Sequence, residues 1–117
     1  MFKVIIAGTR TMKDSGLLYR KMEKILANIT DDIEIVSGGA DGADSIGESY
    51  GHYNDHTVKT FLPDWQQYGK AAGPKRNARM ASYADACVVF WDGESRGTLS
   101  MINEAKKAKI ALRVIKY

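Results

Sequence analysis

The sequence predicts an α/β domain built on a parallel five-stranded sheet with helices on both faces. Three observations predict it. Short apolar, β-branched runs alternate with amphipathic helical stretches from end to end. The first strand reads as a continuous apolar run rather than an alternating one, as a strand buried on both faces does. No linker, repeat or low-complexity stretch divides the 117 residues, a length that suits one domain, so residues 1–117 are expected to form a single unit.

The elements follow in order. Phe2 to Ala7 is a buried strand ending at Gly8. From about Ser15 to Ile29, apolar residues at 18, 22, 25 and 29 make one helical face, with Ser15 as N-cap. Ile33 to Val36 is a second strand, followed by a glycine turn and a helix with Ala43, Ile46, Gly47 and Tyr50 on one face. His56 to Leu62 is a third strand, and an irregular stretch runs from Pro63 to Gly73. Pro74 then opens a helix, at a position where no amide donor is needed. Asp85 to Trp91 is a fourth strand, 92–97 a loop, Thr98 to Ala108 a helix and Ile110 to Ile115 a fifth strand. Right-handed crossovers favour the strand order 3-2-1-4-5, a Rossmann-like arrangement.

Composition narrows the function classes. Forty-four per cent of residues are hydrophobic and 26% charged, with a net charge of +3. These are values of a folded, water-soluble chain. The surplus charge is mild, and Lys106, Lys107 and Lys109 suit a helix C-terminus. Nucleic-acid binding is therefore not expected. No apolar run approaches the length of a bilayer span, so no membrane role is expected either. The single cysteine, Cys87, sits in an apolar strand and reads as a buried thiol, and the absence of an intrachain disulfide fits a cytoplasmic location. His52 and His56 lack the partners of a metal site and read as structural. No metal or resident cofactor is expected. With so small a core, a homo-oligomer is expected.

In a sheet of this order the ligand sits beyond the strand C-termini, at the switch point between the first and fourth strands. Four segments should line that edge: Gly8-Thr9-Arg10, the turn 37–42, Pro63-Asp64-Trp65, and Trp91 through Thr98. In the first glycine turn, Ser37, Gly38, Gly39, Ala40 and Gly42 precede a helix that begins near Asp44. A side-chain-free backbone and a helix N-terminus together suit a phosphate. The turn is neither a Walker loop nor the spaced glycine fingerprint of dinucleotide enzymes. The second turn repeats the design with Asp92, Ser95, Arg96, Gly97 and Thr98, where Thr98 can cap the helix or contact a phosphate oxygen. Lys75, Arg76 and Asn77 open another helix. Cations at a helix N-terminus oppose its dipole, so Arg76 is expected to face an anion, the alternative being a solvated surface charge or a pairing with Asp64 or Asp92. Trp65 and Trp91 stand where they could stack on a base or pack the rim.

These segments also carry a resemblance. Gly8-Thr9-Arg10, SGGADGAD at 37–44, the Asp64-Trp65 pair, YGKAAGPKRN at 68–77 and FWDGESRGT at 90–98 resemble the SLOG superfamily, and within it the small YspA-like branch. Wider relatives include the Lonely Guy phosphoribohydrolases and the DNA-processing protein DprA. The resemblance implies a Rossmann-like fold with a nucleotide-type ligand between the two glycine turns. It implies phosphate roles for Gly38, Gly39, Gly42, Gly97 and Thr98, and pocket-facing roles for Arg10, Arg76 and Asn77.

The sequence departs from the hydrolases at one point. Their second motif places a catalytic glutamate just after the threonine, whereas Leu99, Ser100 and Met101 follow Thr98 here. Cleavage of an N-glycosidic bond needs a carboxylate. The reading is therefore a binding protein for a nucleotide or nucleotide-derived signal, of the ADP-ribose or cyclic-nucleotide class, acting as a sensor or a sequestering protein. Small members of this branch occur in phages as well as bacteria, which adds a counter-defence sponge to the expectations. Phosphoribohydrolase chemistry is the alternative, with Asp44, Asp92 or Glu94 as the substitute acid.

Overall fold

A computed structural model describes residues 1–117. The strands are β1 (Phe2–Gly8), β2 (Ile33–Ser37), β3 (Thr57–Thr60), β4 (Ala86–Trp91) and β5 (Ala111–Lys116). All pair in parallel, in the order β3-β2-β1-β4-β5. The expected topology and strand order are therefore those observed. The helices are α1 (Ser15–Ile25), α2 (Ala43–Tyr53), α3 (Trp65–Tyr68), α4 (Ala72–Tyr83) and α5 (Arg96–Ala108), and a 3-10 turn, Gly69–Ala71, leads into α4.

Alternation along the central strands divides the core in two. Val4, Ile6, Ile35, Val88 and Phe90 face α1 and α2. Ile5, Ala7, Val36, Cys87 and Val89 face α4 and α5, where Met80, Ala81, Met101, Ile102 and Ala105 meet them. Gly47 explains how closely α2 approaches: an added Cβ there would stand 2.7 Å from the Ile6 side chain. No helix is long and apolar enough to cross a membrane.

Local expectations are corrected at four helices. Asp14, not Ser15, caps α1, its carboxylate accepting the Leu17 amide at 2.9 Å, and the helix ends at Ile25 rather than Ile29. The stretch after β3 is not irregular throughout, because Asp64 caps the short α3 through the Gln67 amide. α4 starts at Ala72, two residues ahead of Pro74, which still lies in the first turn where amides have no intrahelical partner. Likewise α5 starts at Arg96. Ser95 is its cap, and Thr98 lies inside the helix, its amide and hydroxyl both bonded to Ser95 Oγ at 3.3 and 3.0 Å. The run Ser-x-x-Thr reads equally as a loop or a cap, and only the chain path distinguishes them.

Candidate functional site

The cleft lies at the C-terminal edge of the sheet, where β1 and β4 part company. Its inner part is small, about 60 Å³, lined by Gly8 and Arg10 after β1, Ala40 and Asp44 at α2, Arg76, Asn77 and Met80 on α4, and Ser95, Gly97 and Thr98 at α5. A wider groove of about 430 Å³ continues outward past Arg10, Ala40 and Arg76 to Gly38, Gly39, Asp41, Leu62, Pro63 and Trp65. Small-molecule sites occupy roughly 300–1,000 Å³, so the outer groove has the size of a ligand site and the inner part forms its throat.

Each wall has a local cause. Gly42 turns the chain into α2 at φ +73°, and any Cβ there would collide with the Thr9 and Arg10 carbonyls at 2.3 and 2.4 Å. That close approach brings Arg10 to the cleft. Thr9 itself is buried and occupied: its carbonyl accepts the Ala43 amide at 3.2 Å, and its Oγ1 accepts the Asp92 amide at 3.1 Å. Thr9 thus ties the end of β1 to both following turns.

The first glycine turn spends amides on itself. The Gly39 amide donates to Ser37 Oγ at 3.1 Å, and the Ala40 amide to Asp44 Oδ2 at 3.2 Å. Ser37 is fully buried beneath the turn and donates its hydroxyl to Glu48 Oε2 at 2.5 Å. The carboxylate of Asp44 therefore sits in the amide cradle at the N-terminal end of α2, where the helix dipole favours an anion. It is only 5% exposed. Burial pushes its pKa up from 3.8 to about 6, against the lowering effects of the Ala40 amide, the Arg76 charge and the Gly8 amide, and with a further raising push from Glu48.

Across the throat, α5 presents a freer end. Helix geometry leaves the Arg96 and Gly97 amides without intrahelical acceptors, whereas Thr98 and Leu99 donate to Ser95. An added Cβ on Gly97 would meet nothing within 4 Å. Neither packing nor backbone shape requires a glycine there.

Arg76 and Asn77 join the two turns. Arg76 Nη1 donates to the Gly38 carbonyl at 2.5 Å and Nε to Asn77 Oδ1 at 2.9 Å. Asn77 Nδ2 in turn donates to Ser100 Oγ at 3.2 Å and, at 3.5 Å, to the Gly97 carbonyl. Burial lowers the Arg76 pKa, opposed by the Asp44 charge and assisted by that of Arg10. Arg76 therefore has a scaffold contact besides its place on the cleft wall, because its half-buried guanidinium holds a turn carbonyl.

Of the residues singled out from sequence, Gly8, Arg10, Gly38, Gly39, Ala40, Asp44, Trp65, Arg76, Asn77, Ser95, Gly97 and Thr98 meet around the cleft. Others stand apart. Asp64 caps α3. Asp92 accepts the Glu94 and Ser95 amides at 2.8 and 2.9 Å, which hold its carboxyl below the usual range. Trp91 donates from Nε1 to the Ser95 carbonyl at 3.1 Å with Lys116 over its ring. Arg96 is exposed on the first turn of α5. Met80, Met101 and Ala7 line the throat without having been singled out. Met80 was within reach of sequence reasoning, since it lies four residues beyond Arg76 on the same helix.

Comparison with known proteins places this geometry. The model of the YspA, cpYpsA-related SLOG family matches residues 2–68, from β1 through α3. The Gene 61 protein of Mycobacterium phage D29 is 34% identical over 116 residues, spanning 94% of this chain and 93% of that protein. The X-ray structure of DNA processing protein A (DprA) from Streptococcus pneumoniae superposes with a TM-score of 0.76 at 18% identity. It covers all of this chain, which spans about half (51%) of that one. The DprA likeness carries the fold. The sequence matches carry the kinship, and by them the chain belongs to the YspA, cpYpsA-related SLOG family.

Proposed function

We propose that the cleft binds a nucleotide or nucleotide-derived signal and that the chain acts as a sensor or a sequestering protein. Membership of a SLOG family supports a nucleotide-related role. One observation carries the reading. Arg10, Arg76 and the α5 N-terminus converge on a throat that opens into a groove of nucleoside size. In this reading the phosphates lie against the Arg96 and Gly97 amides and the two guanidinium groups. The SGGA turn supplies a wall rather than the main donors, because the Asp44 carboxylate already holds its Ala40 amide. Asp44 accepts a hydrogen bond from a ribose hydroxyl. Trp65, 54% exposed beside Leu62 and Pro63, gives the base an apolar platform. ADP-ribose and cyclic nucleotides meet these requirements.

The phage relative supports a sub-reading, in which the protein captures a host signal in the host cytoplasm. A homo-oligomer completing the outer groove also belongs to this proposal. Titration calorimetry with AMP, ADP-ribose and cyclic nucleotides tests the reading, beside mass spectrometry of small molecules that copurify. Saturable binding that is lost in Arg10→Ala is the expected result. A folded protein that binds none of the panel and carries no nucleotide overturns it.

One observation favours a second reading. A buried carboxyl with its pKa near 6, facing the throat beside an arginine, has the character of an acid–base group. In that reading Asp44 substitutes for the missing glutamate of the phosphoribohydrolases. Release of free base from nucleoside monophosphates, abolished in Asp44→Asn, would establish it.

A further inference from the structure

The sheet leaves a second surface that the cleft does not use. α5 packs on β1, β4 and β5 with α4 beside it. Over β2 and β3 the same face is covered by side chains instead. Phe61 and Tyr83 form the floor, with ring centroids 5.4 Å apart. Lys59 lies over both rings at 5.6 and 5.1 Å, Lys3 over Tyr83 at 4.2 Å and Arg79 over Phe61 at 5.3 Å. An open groove of about 490 Å³ runs between Phe61, Ala78, Arg79, Ser82 and Tyr83. One turn back along α4, Lys75 covers the exposed Tyr68 at 4.8 Å.

The charge of this surface is unbalanced. Four cations stand over its rings, Lys3, Lys59, Lys75 and Arg79, against two carboxylates that touch it, Glu34 and Asp85. The molecule's one ion pair, Lys107–Glu104, is elsewhere. Glu34 accepts the Tyr83 hydroxyl and Asp85 accepts the Lys3 amide, bonds to neutral donors that leave both charges in place, so the cations outnumber the carboxylates four to two. Lys75 lies in the first turn of α4, where a cation opposes the helix dipole. Cations without a salt bridge, beside the exposed Tyr68 and the half-buried Tyr83, are the chemistry of a strand of nucleic acid laid along a surface: phosphates meet the cations, and bases find the faces of these two tyrosines once the flexible lysines swing aside. An acidic peptide or a lipid headgroup would match the charge but not the rings.

We propose that the outer face of α4 with the β3 side of the sheet binds single-stranded nucleic acid, independently of the small-molecule cleft. The four cations involved, Lys3, Lys59, Lys75 and Arg79, are far apart in sequence, so composition alone shows only a mild surplus. Lys75 and Arg79, four residues apart on α4, stand about 6 Å apart along its axis.

The experiment is fluorescence anisotropy of labelled dT12 against salt. Neutralising three or four phosphates gives a slope of log affinity on log salt of about −2 to −3. The triple variant Lys59→Gln/Lys75→Gln/Arg79→Gln should flatten the slope to about −1 or less. Arg79→Gln alone serves should the triple variant not fold, as a melt reports, and should flatten the slope by about 0.7. An abasic 12-mer of equal charge should bind at least about fivefold more weakly than dT12. Saturating ADP-ribose should leave dT12 bound, which separates this surface from a cleft that holds ADP-ribose. No salt-dependent dT12 binding, a slope unchanged in the variants, or displacement by ADP-ribose overturns the proposal. Equal binding of abasic DNA, or tighter binding of an acidic peptide or phosphatidylserine vesicles, overturns the assignment to nucleic acid.

Discussion

Asn77 faces both glycine turns at once: its Oδ1 accepts Arg76 Nε at 2.9 Å, and its Nδ2 lies 3.5 Å from the Gly97 carbonyl. Through Arg76 the same chain reaches the Gly38 carbonyl. The two turns are therefore held at a set spacing by adjacent residues of one helix. A ligand drawn to the Arg76 charge acts on the strut that spaces the cleft.

Arg76→Ala should consequently cost stability as well as affinity. It removes a charged hydrogen bond, worth about 1.5–3 kcal/mol, and withdraws the cation nearest the buried Asp44. Urea unfolding should show a loss of about that size with an unchanged slope. A midpoint equal to that of the parent chain would place Arg76 outside the scaffold.

Gly97→Ala and Gly42→Ala should separate ligand-imposed from fold-imposed glycine. At 97 the added methyl meets no atom and the helix gains, so melting should be unchanged or improved by up to about 1 kcal/mol. Binding of ADP-ribose should fall, because the methyl enters the throat. At 42 the positive φ and the carbonyl collisions should destabilise the chain by more than about 1 kcal/mol. Paired melts and calorimetry on both variants check this.

Asp44 should give stability a pH signature. Its folded pKa, raised to about 6, lies above the 3.8 of an exposed carboxyl. Between these values the folded chain holds a proton that the unfolded chain has lost. This group's contribution therefore rises as pH falls from about 6 to 4 and is lost as pH climbs through 6. Urea titrations at pH 4.5, 5.5 and 7 should show the parent chain losing stability with rising pH relative to Asp44→Asn. Parallel profiles would show that Asp44 titrates normally. By the same charge argument, ADP-ribose should bind more tightly below pH 6 in the parent chain only.

Cys87 should be silent toward thiol reagents until the chain unfolds. It is 1% exposed, and burial pushes its thiol up to about 12, with the Asp44 charge adding to the rise. The thiolate that reacts is scarce and shielded. Alkylation by iodoacetamide at pH 8 should track global unfolding in urea. Rapid labelling of the native chain would contradict the burial.

Strand order, the two-layer core and the edge where the cleft opens were legible in the sequence because each follows from local pattern. β-branched runs and helical periodicity specify the elements, and crossover handedness leaves few ways to assemble them. The glycine turns were legible too, since Gly42 meets a demand of its own backbone. Tertiary structure alone decided how polar groups share partners. Nothing near Arg76 in sequence says that it finds the Gly38 carbonyl 38 residues away. Nor does it say that Lys3, Lys59 and Arg79 meet over two rings. Hydrogen bonds and charges are satisfied by whatever the fold brings within about 3 Å, and that neighbourhood exists only once the sheet has formed.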